Sequence, residues 1–209
     1  MDIQFHGANC IVLSSKQTRV VIDDNLSTLG GNTVAKEGDI TLFTSEDHSE
    51  PTKQPKIMID QPGEYEISGV SVYGIGTRSH MDEDKQQSAV MYKIDIEDMN
   101  VLIAGHVYPE LSDRQLEAIG MVDLLLIPVG GNGYTLDGVG ALKLIKKIEP
   151  KMVIPTHYDD PKLNYPVPQQ TLEQALKALA MEPKETVAKL RVKPADLTDA
   201  LQLIVLEKS

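Results

Sequence analysis

The order of hydrophobic and polar positions divides the chain into a strand-rich part and a part with alternating helices and strands. Up to about residue 110, short apolar runs alternate with clusters of Gly, Pro, Asn and Asp, which is typical of an antiparallel or mixed sheet. The pattern predicts strands at 2–6, 10–14, 18–23, 39–43, 56–60, 64–67, 69–75, 88–95 and 99–104.

Beyond residue 110 the period of the apolar positions changes to that of helices packed on a sheet. Ser112, followed three residues later by Gln115, forms a capping box that predicts a helix start. The run 122–127 (VDLLLI), which is apolar apart from Asp123, is typical of a strand covered on both faces. Further helices are predicted at 136–148 and from residue 172, and further strands at 152–154, 185–192 and 200–206. We therefore expect two sheets flanked by helices in a single domain, 1–209.

Composition narrows the classes of function. The 209 residues carry a formal charge of −11 and no long run of Lys or Arg, which disfavours nucleic acid as a partner. No apolar run is long enough to cross a membrane, and no signal-peptide pattern is present. Cys10 is the single cysteine, so an internal disulfide is impossible. These features predict a cytoplasmic protein without a membrane partner, and they leave open whether it is a homo-oligomer.

Several segments, taken in order, resemble the metallo-β-lactamase superfamily, in particular its branch of small metal-dependent hydrolases. They are 3–10 (IQFHGANC), 20–23 (VVID), 61–66 (QPGEYE), 122–131 with 135–137 (VDLLLIPVGG and TLD), and 150–158 (PKMVIPTHY). The resemblance covers about three quarters of the chain. It implies an α/β fold, the αβ/βα four-layer sandwich of two mixed β-sheets flanked by helices, with metals held by loops at one edge of the sheets.

The resemblance also implies a His-x-His-x-Asp-His motif after the strand 39–43, and this motif is degenerate here. Aligned without gaps, its ligand positions carry Ser45, Asp47, Ser49 and Glu50. A two-residue deletion instead places Asp47 and His48 on the final Asp-His pair. Both alignments remain open.

Three later histidines correspond to ligand positions of the branch. His80 resembles the histidine of the third motif, and His157 resembles the last histidine. The aspartate that bridges two metals in the branch is replaced by His106. Because an imidazole binds one metal through one nitrogen, His106 is a poor bridge, and a two-metal centre is disfavoured.

The remaining donors favour one metal ion. Nitrogen and oxygen ligands from Asp47, His48, His80, His106 and His157 suit a single divalent ion, with Zn²⁺ ahead of Fe²⁺ and Mn²⁺. Each of these residues lies in a loop after a predicted strand, so we expect all five to meet in one cleft. Asp47 and His106 are the candidates for catalytic roles, and the substrate would be a small ester, amide, lactone or phosphoester.

A second interpretation needs no metal and no catalysis. The loss of motif ligands is equally typical of a catalytically inactive descendant that keeps the fold as a binding or assembly module. A lone histidine is more often a satisfied polar residue than a ligand, which is our interpretation of His6. The sequence therefore leaves two hypotheses, an atypical metal-dependent hydrolase and a binding module.

Overall fold

The computed structural model describes residues 1–49, 51 and 53–209, and its described strands and helices follow the predicted division of the chain. Its strands are β1 (Asp2–Gly7), β2 (Cys10–Ser14), β3 (Arg19–Ile22), β4 (Ile40–Leu42), β5 (Ile57–Ile59), β6 (Gly63–Ile67), β7 (Val70–Thr77), β8 (Ala89–Ile96), β9 (Met99–Ile103), β10 (Leu124–Pro128), β11 (Met152–Thr156), β12 (Glu185–Val187), β13 (Leu190–Arg191) and β14 (Gln202–Leu206). Its α-helices are α1 (Asp113–Ile119), α2 (Gly138–Ile148) and α3 (Leu172–Leu179), and short 3-10 turns occupy Leu26–Leu29 and Pro194–Asp196.

The strands form two mixed sheets, as predicted. The first sheet has the order β13-β1-β2-β3-β4-β5, and the second has the order β12-β14-β11-β10-β9-β8-β7-β6. In the first sheet β3, β4 and β5 are parallel, and in the second sheet β9, β10, β11 and β14 are parallel. Parallel neighbours point their carboxyl ends to the same edge, which is where such sheets usually bind ligands.

The main core lies between the two sheets. In β1, Ile3 and Phe5 are buried while Asp2 and Gln4 alternate with them toward the other face, as the two-residue period of a strand requires. Their partners from the second sheet include Val101, Leu126 and Ile154. Burial of these alternating apolar faces is the main force that holds the sandwich closed.

The three α-helices cover the outer face of the second sheet, and loops after β3 cover the outer face of the first. Apolar residues of α2 and α3 pack on the outer face of the second sheet in a separate core. The start of α1 agrees with its sequence signal, because the Ser112 hydroxyl caps it in a capping box with Gln115. The 3-10 turn Leu26–Leu29 and neighbouring loops pack beside the first sheet around the buried, unpaired Cys10. None of the described helices is long and apolar enough to span a membrane.

One buried tyrosine joins the sheets by hydrogen bonds as well as by packing. Tyr92 on β8 of the second sheet is fully buried. Its hydroxyl donates to the carbonyl oxygens of Phe43 at 2.9 Å and Ile59 at 3.2 Å, which belong to the first sheet's side of the core. The Ile59 carbonyl also accepts a hydrogen bond from the backbone N–H of Phe43. Loss of the tyrosine hydroxyl would therefore leave the Phe43 carbonyl, rather than that of Ile59, without a donor.

We predict that Tyr92→Phe lowers the free energy of unfolding by about 1–2 kcal/mol, because a buried carbonyl loses its donor. Tyr73→Phe is the matched control, since the Tyr73 hydroxyl makes no hydrogen bond within the described residues. Urea unfolding followed by circular dichroism measures both. Equal stability of the two variants would contradict the assigned role of the Tyr92 hydroxyl.

Candidate functional site

A polar cavity of about 360 Å³ opens at the edge where strands of both sheets end. Asp23 follows β3 and Thr44 follows β4 in the first sheet, while His106 follows β9 and His157 follows β11 in the second. Asp23, His106 and His157 line the cavity together with Asp47. The carboxyl ends of strands from both sheets therefore supply its polar side chains.

A chain of hydrogen bonds connects the sheets beneath the cavity. The backbone N–H of Thr44 donates to Oδ1 of Asp23 at 2.7 Å, and the Thr44 hydroxyl donates to Oδ2 at 2.6 Å. Oγ1 of Thr44 also lies 3.0 Å from Nδ1 of His106. Because the single hydroxyl proton is already donated to Asp23, the threonine oxygen accepts from Nδ1–H of His106. This arrangement leaves Nε2 of His106 with a free lone pair.

His157 is oriented by a different partner in the same way. Its Nδ1 lies 3.1 Å from Oε1 of Gln169, and the Gln169 amide nitrogen donates to the Val167 carbonyl at 2.8 Å. The amide oxygen of Gln169 must therefore face the histidine and accept its Nδ1–H. Its backbone N–H donates to the Ala8 carbonyl at 2.7 Å, and its φ of 53° lies in the left-handed region that non-glycine residues seldom adopt. His157 is thus held firmly at the end of β11.

The two imidazoles lie against each other and are neutral over the physiological range. Their ring centroids are 5.7 Å apart, and the rings meet edge to face. Burial lowers the pKa of His106 to about 4, with His80 adding to the effect and Asp47 opposing it. Burial and the nearby His106 lower the pKa of His157 to about 3. Neutral imidazole is the form that binds metal ions.

A buried carboxyl group lies below the histidines. Burial raises the pKa of Asp23 to about 6, although its hydrogen bonds from Thr44 favour the ionised form. Asp23 has a φ of 48° and is only 3% exposed. Above pH 6 it is an ionised acceptor that fixes the Thr44 hydroxyl and, through it, the ring of His106.

The structure places the two residues of the degenerate motif differently. Asp47 is exposed at the cavity wall, and its backbone N–H donates to Oγ of Ser45 at 3.2 Å. His48 also lines the cavity, but its ring stacks on Phe43 with centroids 4.1 Å apart. Its Nε2 lies 3.3 Å from Oδ2 of Asp60. Asp47 is therefore the freer of the two donors. Glu50, which one alignment placed on a ligand position, lies outside the described residues.

His80 is not among the residues that line the cavity. The backbone N–H of Ser79 donates to Oδ2 of Asp82 at 2.9 Å, and Ser79 forms a β-bridge with Val107. This turn directs the ring of His80 onto Tyr108, with centroids 5.3 Å apart. Four of the five residues selected from the sequence thus border one cavity, and His80 lies beside it.

Two histidine side chains at the cavity have the hydrogen-bond pattern of metal ligands. His106 and His157 offer free Nε2 atoms whose other ring nitrogens are held by acceptors, which is how proteins prepare histidine ligands. His106 uses Nδ1 for Thr44 and cannot bridge two ions. No group of three or more His, Cys, Asp or Glu side chains is placed to hold a metal within the described residues. The described residues therefore bring two imidazoles to one cavity, with Asp47 as an exposed carboxylate on its wall.

Sequence reasoning missed the residues that orient these histidines. Asp23 lies in a segment that carries the family resemblance, but a strand-end Asp alone does not show that it supports Thr44. Nothing near Gln169 in the sequence indicates that it contacts His157. Tyr134 and Tyr165, which also line the cavity, carry no recognisable motif of their own.

The sandwich, with its cavity at the strand ends, is the metallo-β-lactamase fold. A protein from Thermotoga maritima, assigned by name to the Zn-dependent hydrolases of that superfamily, shares it with a TM-score of 0.76 and 22% identity over 99% of both chains. Igni18, described as a metallo hydrolase from Ignicoccus hospitalis, has a TM-score of 0.63 and 16% identity over 100% of this chain and 95% of that one.

Residues 2–157 match the family described as beta-lactamase superfamily domain, and the chain belongs to this family. A curated relative from Thermococcus onnurineus is 28% identical over 101 residues, which are 46% of this chain and 44% of the relative. A relative from Carboxydothermus hydrogenoformans is 48% identical over 46 residues, which are 22% of this chain and 20% of the relative. Both carry the name UPF0173 metal-dependent hydrolase, and the matches span less than half of either relative's length.

Gly105 allows the close approach of the two sheets at the cavity. Its φ is 59°, and a methyl group in place of its hydrogen would overlap the Thr44 side chain. Gly69 has a similar φ of 74° but open space around it.

We predict that Gly69→Ala costs about 1 kcal/mol of stability from backbone strain, and that Gly105→Ala costs about 1–3 kcal/mol more from the overlap. Chemical unfolding of both variants checks this, and equal losses would rule out the close contact.

The lowered pKa of His106 also predicts a pH dependence of stability. Between its ordinary pKa of 6.5 and the folded value of about 4, the unfolded chain binds a proton that the folded chain does not. Stability is therefore lost as the pH falls from 6.5 to 4, by roughly 3 kcal/mol from this group. The raised pKa of Asp23 acts in the opposite direction, so the quantity to measure is the difference between the wild type and His106→Gln. A difference that does not change over this range would contradict the burial of a neutral His106.

Proposed function

We propose that the protein is a hydrolase of small molecules that uses a single divalent metal ion held by His106, His157 and Asp47. The observation that carries the proposal is the pair of neutral imidazoles, each with Nδ1 fixed by an acceptor and Nε2 free. A single buried histidine with one hydrogen-bonded nitrogen is ordinary, whereas two whose ring centroids lie 5.7 Å apart at one cavity favour a shared ligand. Membership of a family whose curated relatives are named metal-dependent hydrolases supports it.

The donor chemistry favours Zn²⁺, with Fe²⁺ and Mn²⁺ as alternatives. Two imidazole nitrogens and a carboxylate oxygen form a mixed set that borderline divalent ions prefer. Three protein ligands leave a further position open, which is the pattern of catalytic rather than structural sites. A metal ion bound there would supply Lewis acidity and would activate water for attack on the substrate.

The protein's own residues have separate tasks in this proposal. Thr44 and Gln169 keep His106 and His157 in the tautomer that presents Nε2 to the cavity. Asp23 keeps the Thr44 O–H directed away from His106 by accepting its hydrogen bond. Asp47 is exposed at the cavity wall. One of its carboxylate oxygens would bind the metal and the other would accept a proton from water. The cavity volume of about 360 Å³ suits a small molecule.

A catalytically inactive binding module is the second candidate. The observation that favours it is the lack, within the described part of the chain, of three donors already placed around one point. In that case the cavity would hold a small ligand by hydrogen bonds alone. The two candidates differ in whether the histidine pair takes up metal.

We predict one equivalent of Zn²⁺ per chain after purification without chelator or added metal, measured by elemental analysis. His106→Gln and His157→Asn should each reduce the bound metal at least about tenfold, because each removes one of few ligands. Asparagine is chosen at 157 because it tolerates the left-handed backbone of that position.

His6→Gln is the matched control, because His6 does not line the cavity and its replacement should leave the metal content unchanged. Circular dichroism verifies that all variants are folded. Metal content near zero in the wild type after dialysis against micromolar Zn²⁺ would contradict the hydrolase proposal and favour the binding module.

A further inference from the structure

The loop that follows β10 carries a tyrosine over the histidine pair. The backbone N–H of Gly131 donates to the Leu136 carbonyl at 3.0 Å and to Oγ1 of Thr135 at 3.2 Å. The Gln170 backbone N–H donates to the Gly130 carbonyl at 2.7 Å. Thr135 and Leu136 are buried, so the backbone is anchored on both sides of Tyr134.

The ring of Tyr134 contacts both candidate ligands. Its centroid lies 5.5 Å from that of His106, in an edge-on arrangement, and 5.9 Å from that of His157. Tyr134 lines the cavity together with Asp23 and Asp47. The tyrosine is therefore placed where a molecule bound near the histidines would lie.

The hydroxyls of Tyr73, Tyr108 and Tyr134 have no acceptor within the described residues, and of these three only Tyr134 lines the cavity. Those of Tyr92, Tyr158 and Tyr165 each donate to a backbone carbonyl. Within the described residues the Tyr134 hydroxyl makes no hydrogen bond. A partly buried donor that borders a cavity and has no partner in the protein is suited to bind an oxygen of a ligand.

We propose that the Tyr134 hydroxyl donates a hydrogen bond to the carbonyl oxygen of a neutral ester, amide or lactone, which is the substrate class of this site. The proposal rests on the proposed function. In hydrolysis the oxygen of water bonds to the carbonyl carbon, the π electron pair moves onto the carbonyl oxygen, and a proton of the water passes to Asp47. The returning electron pair then expels the alcohol or amine, which takes up that proton. A fixed donor stabilises the charge that develops on the oxygen.

The charges around the tyrosine favour a neutral carbonyl over a phosphoester. Asp23 and Asp47 both lie close enough to act electrostatically on the Tyr134 hydroxyl. No Lys or Arg is among the cavity-lining residues that the structure describes. In the metal-free chain, a phosphate group at this position would face two carboxylates, whereas a neutral carbonyl oxygen accepts the hydrogen bond without that repulsion.

The test follows the Tyr134 side chain directly by ¹⁹F NMR of protein labelled with 3-fluorotyrosine, which gives at most 7 signals. The signal of Tyr134 is assigned by Tyr134→Phe. The neutral probes are γ-butyrolactone and N-methylacetamide, and the anionic probes are inorganic phosphate and methyl phosphate. We expect a neutral probe to shift the Tyr134 signal saturably, and we expect neither anionic probe to do so.

Affinity of the unlabelled variants for the neutral probes completes the test. Tyr134→Phe should weaken binding about fivefold, since one hydrogen bond is lost. Tyr165→Phe is the matched control, because it removes the same atom from the same cavity but from a hydroxyl that is bonded to the Tyr158 carbonyl. It should change affinity by less than about twofold, and thermal unfolding verifies that both variants are folded.

Three results would overturn the proposal: no Tyr134 shift with either neutral probe up to its solubility limit, a shift with phosphate only, or equal losses in the two variants. Each measurement is made with and without Zn²⁺, which separates this proposal from the proposed function. Lactone binding that depends on Tyr134 in a chain that takes up no metal would support the tyrosine's role as a donor and contradict the hydrolase.

Discussion

The hydrogen-bond chain from Asp23 through Thr44 to His106 is the interaction on which the site depends. It joins the ends of β3 and β4 in one sheet to the segment after β9 in the other, at the edge where the sandwich opens. A buried carboxylate is costly unless it is hydrogen-bonded, and here the backbone and hydroxyl of one residue satisfy both of its oxygens. The desolvation of Asp23 is unfavourable, but its hydrogen bonds fix Thr44 and thereby orient His106 at the cavity.

The rest of the site follows from this contact between the sheets. Gly105 lets the backbone after β9 lie close to Thr44. The ring of His106 then lies 5.7 Å, between centroids, from that of His157, which follows β11 in the same sheet. Each histidine donates its Nδ1–H to an acceptor within the protein. For His106 the acceptor is a threonine, and for His157 it is a glutamine. The cavity thus presents two ring nitrogens as acceptors and one phenol as a donor.

Much of the fold could be predicted from the sequence because its signals are local. The alternating residues of β1, the turn glycines and the Ser112 capping box each fix a nearby element, and the order of these elements fits two sheets. That Asp47, His106 and His157 border one cavity could also be anticipated, because each follows a strand. The partners of the histidines could not, since Thr44 and Gln169 reach them only through the folded backbone. His80 lies outside the cavity because the Ser79–Asp82 turn directs its ring onto Tyr108, and no feature of its sequence position indicates this.

The central claim is that His106 and His157 are neutral and carry their protons on Nδ1. Long-range ¹H–¹⁵N correlation spectra of ¹⁵N-histidine-labelled protein at pH 7 report the protonation of each ring nitrogen directly, with assignments from His106→Gln and His157→Asn. The account predicts a protonated Nδ1 and an unprotonated Nε2 for both residues, and a change of both Nε2 signals when Zn²⁺ is added. A protonated Nε2 on either ring in the metal-free protein would contradict the account, because that histidine would then have no lone pair to offer to the cavity.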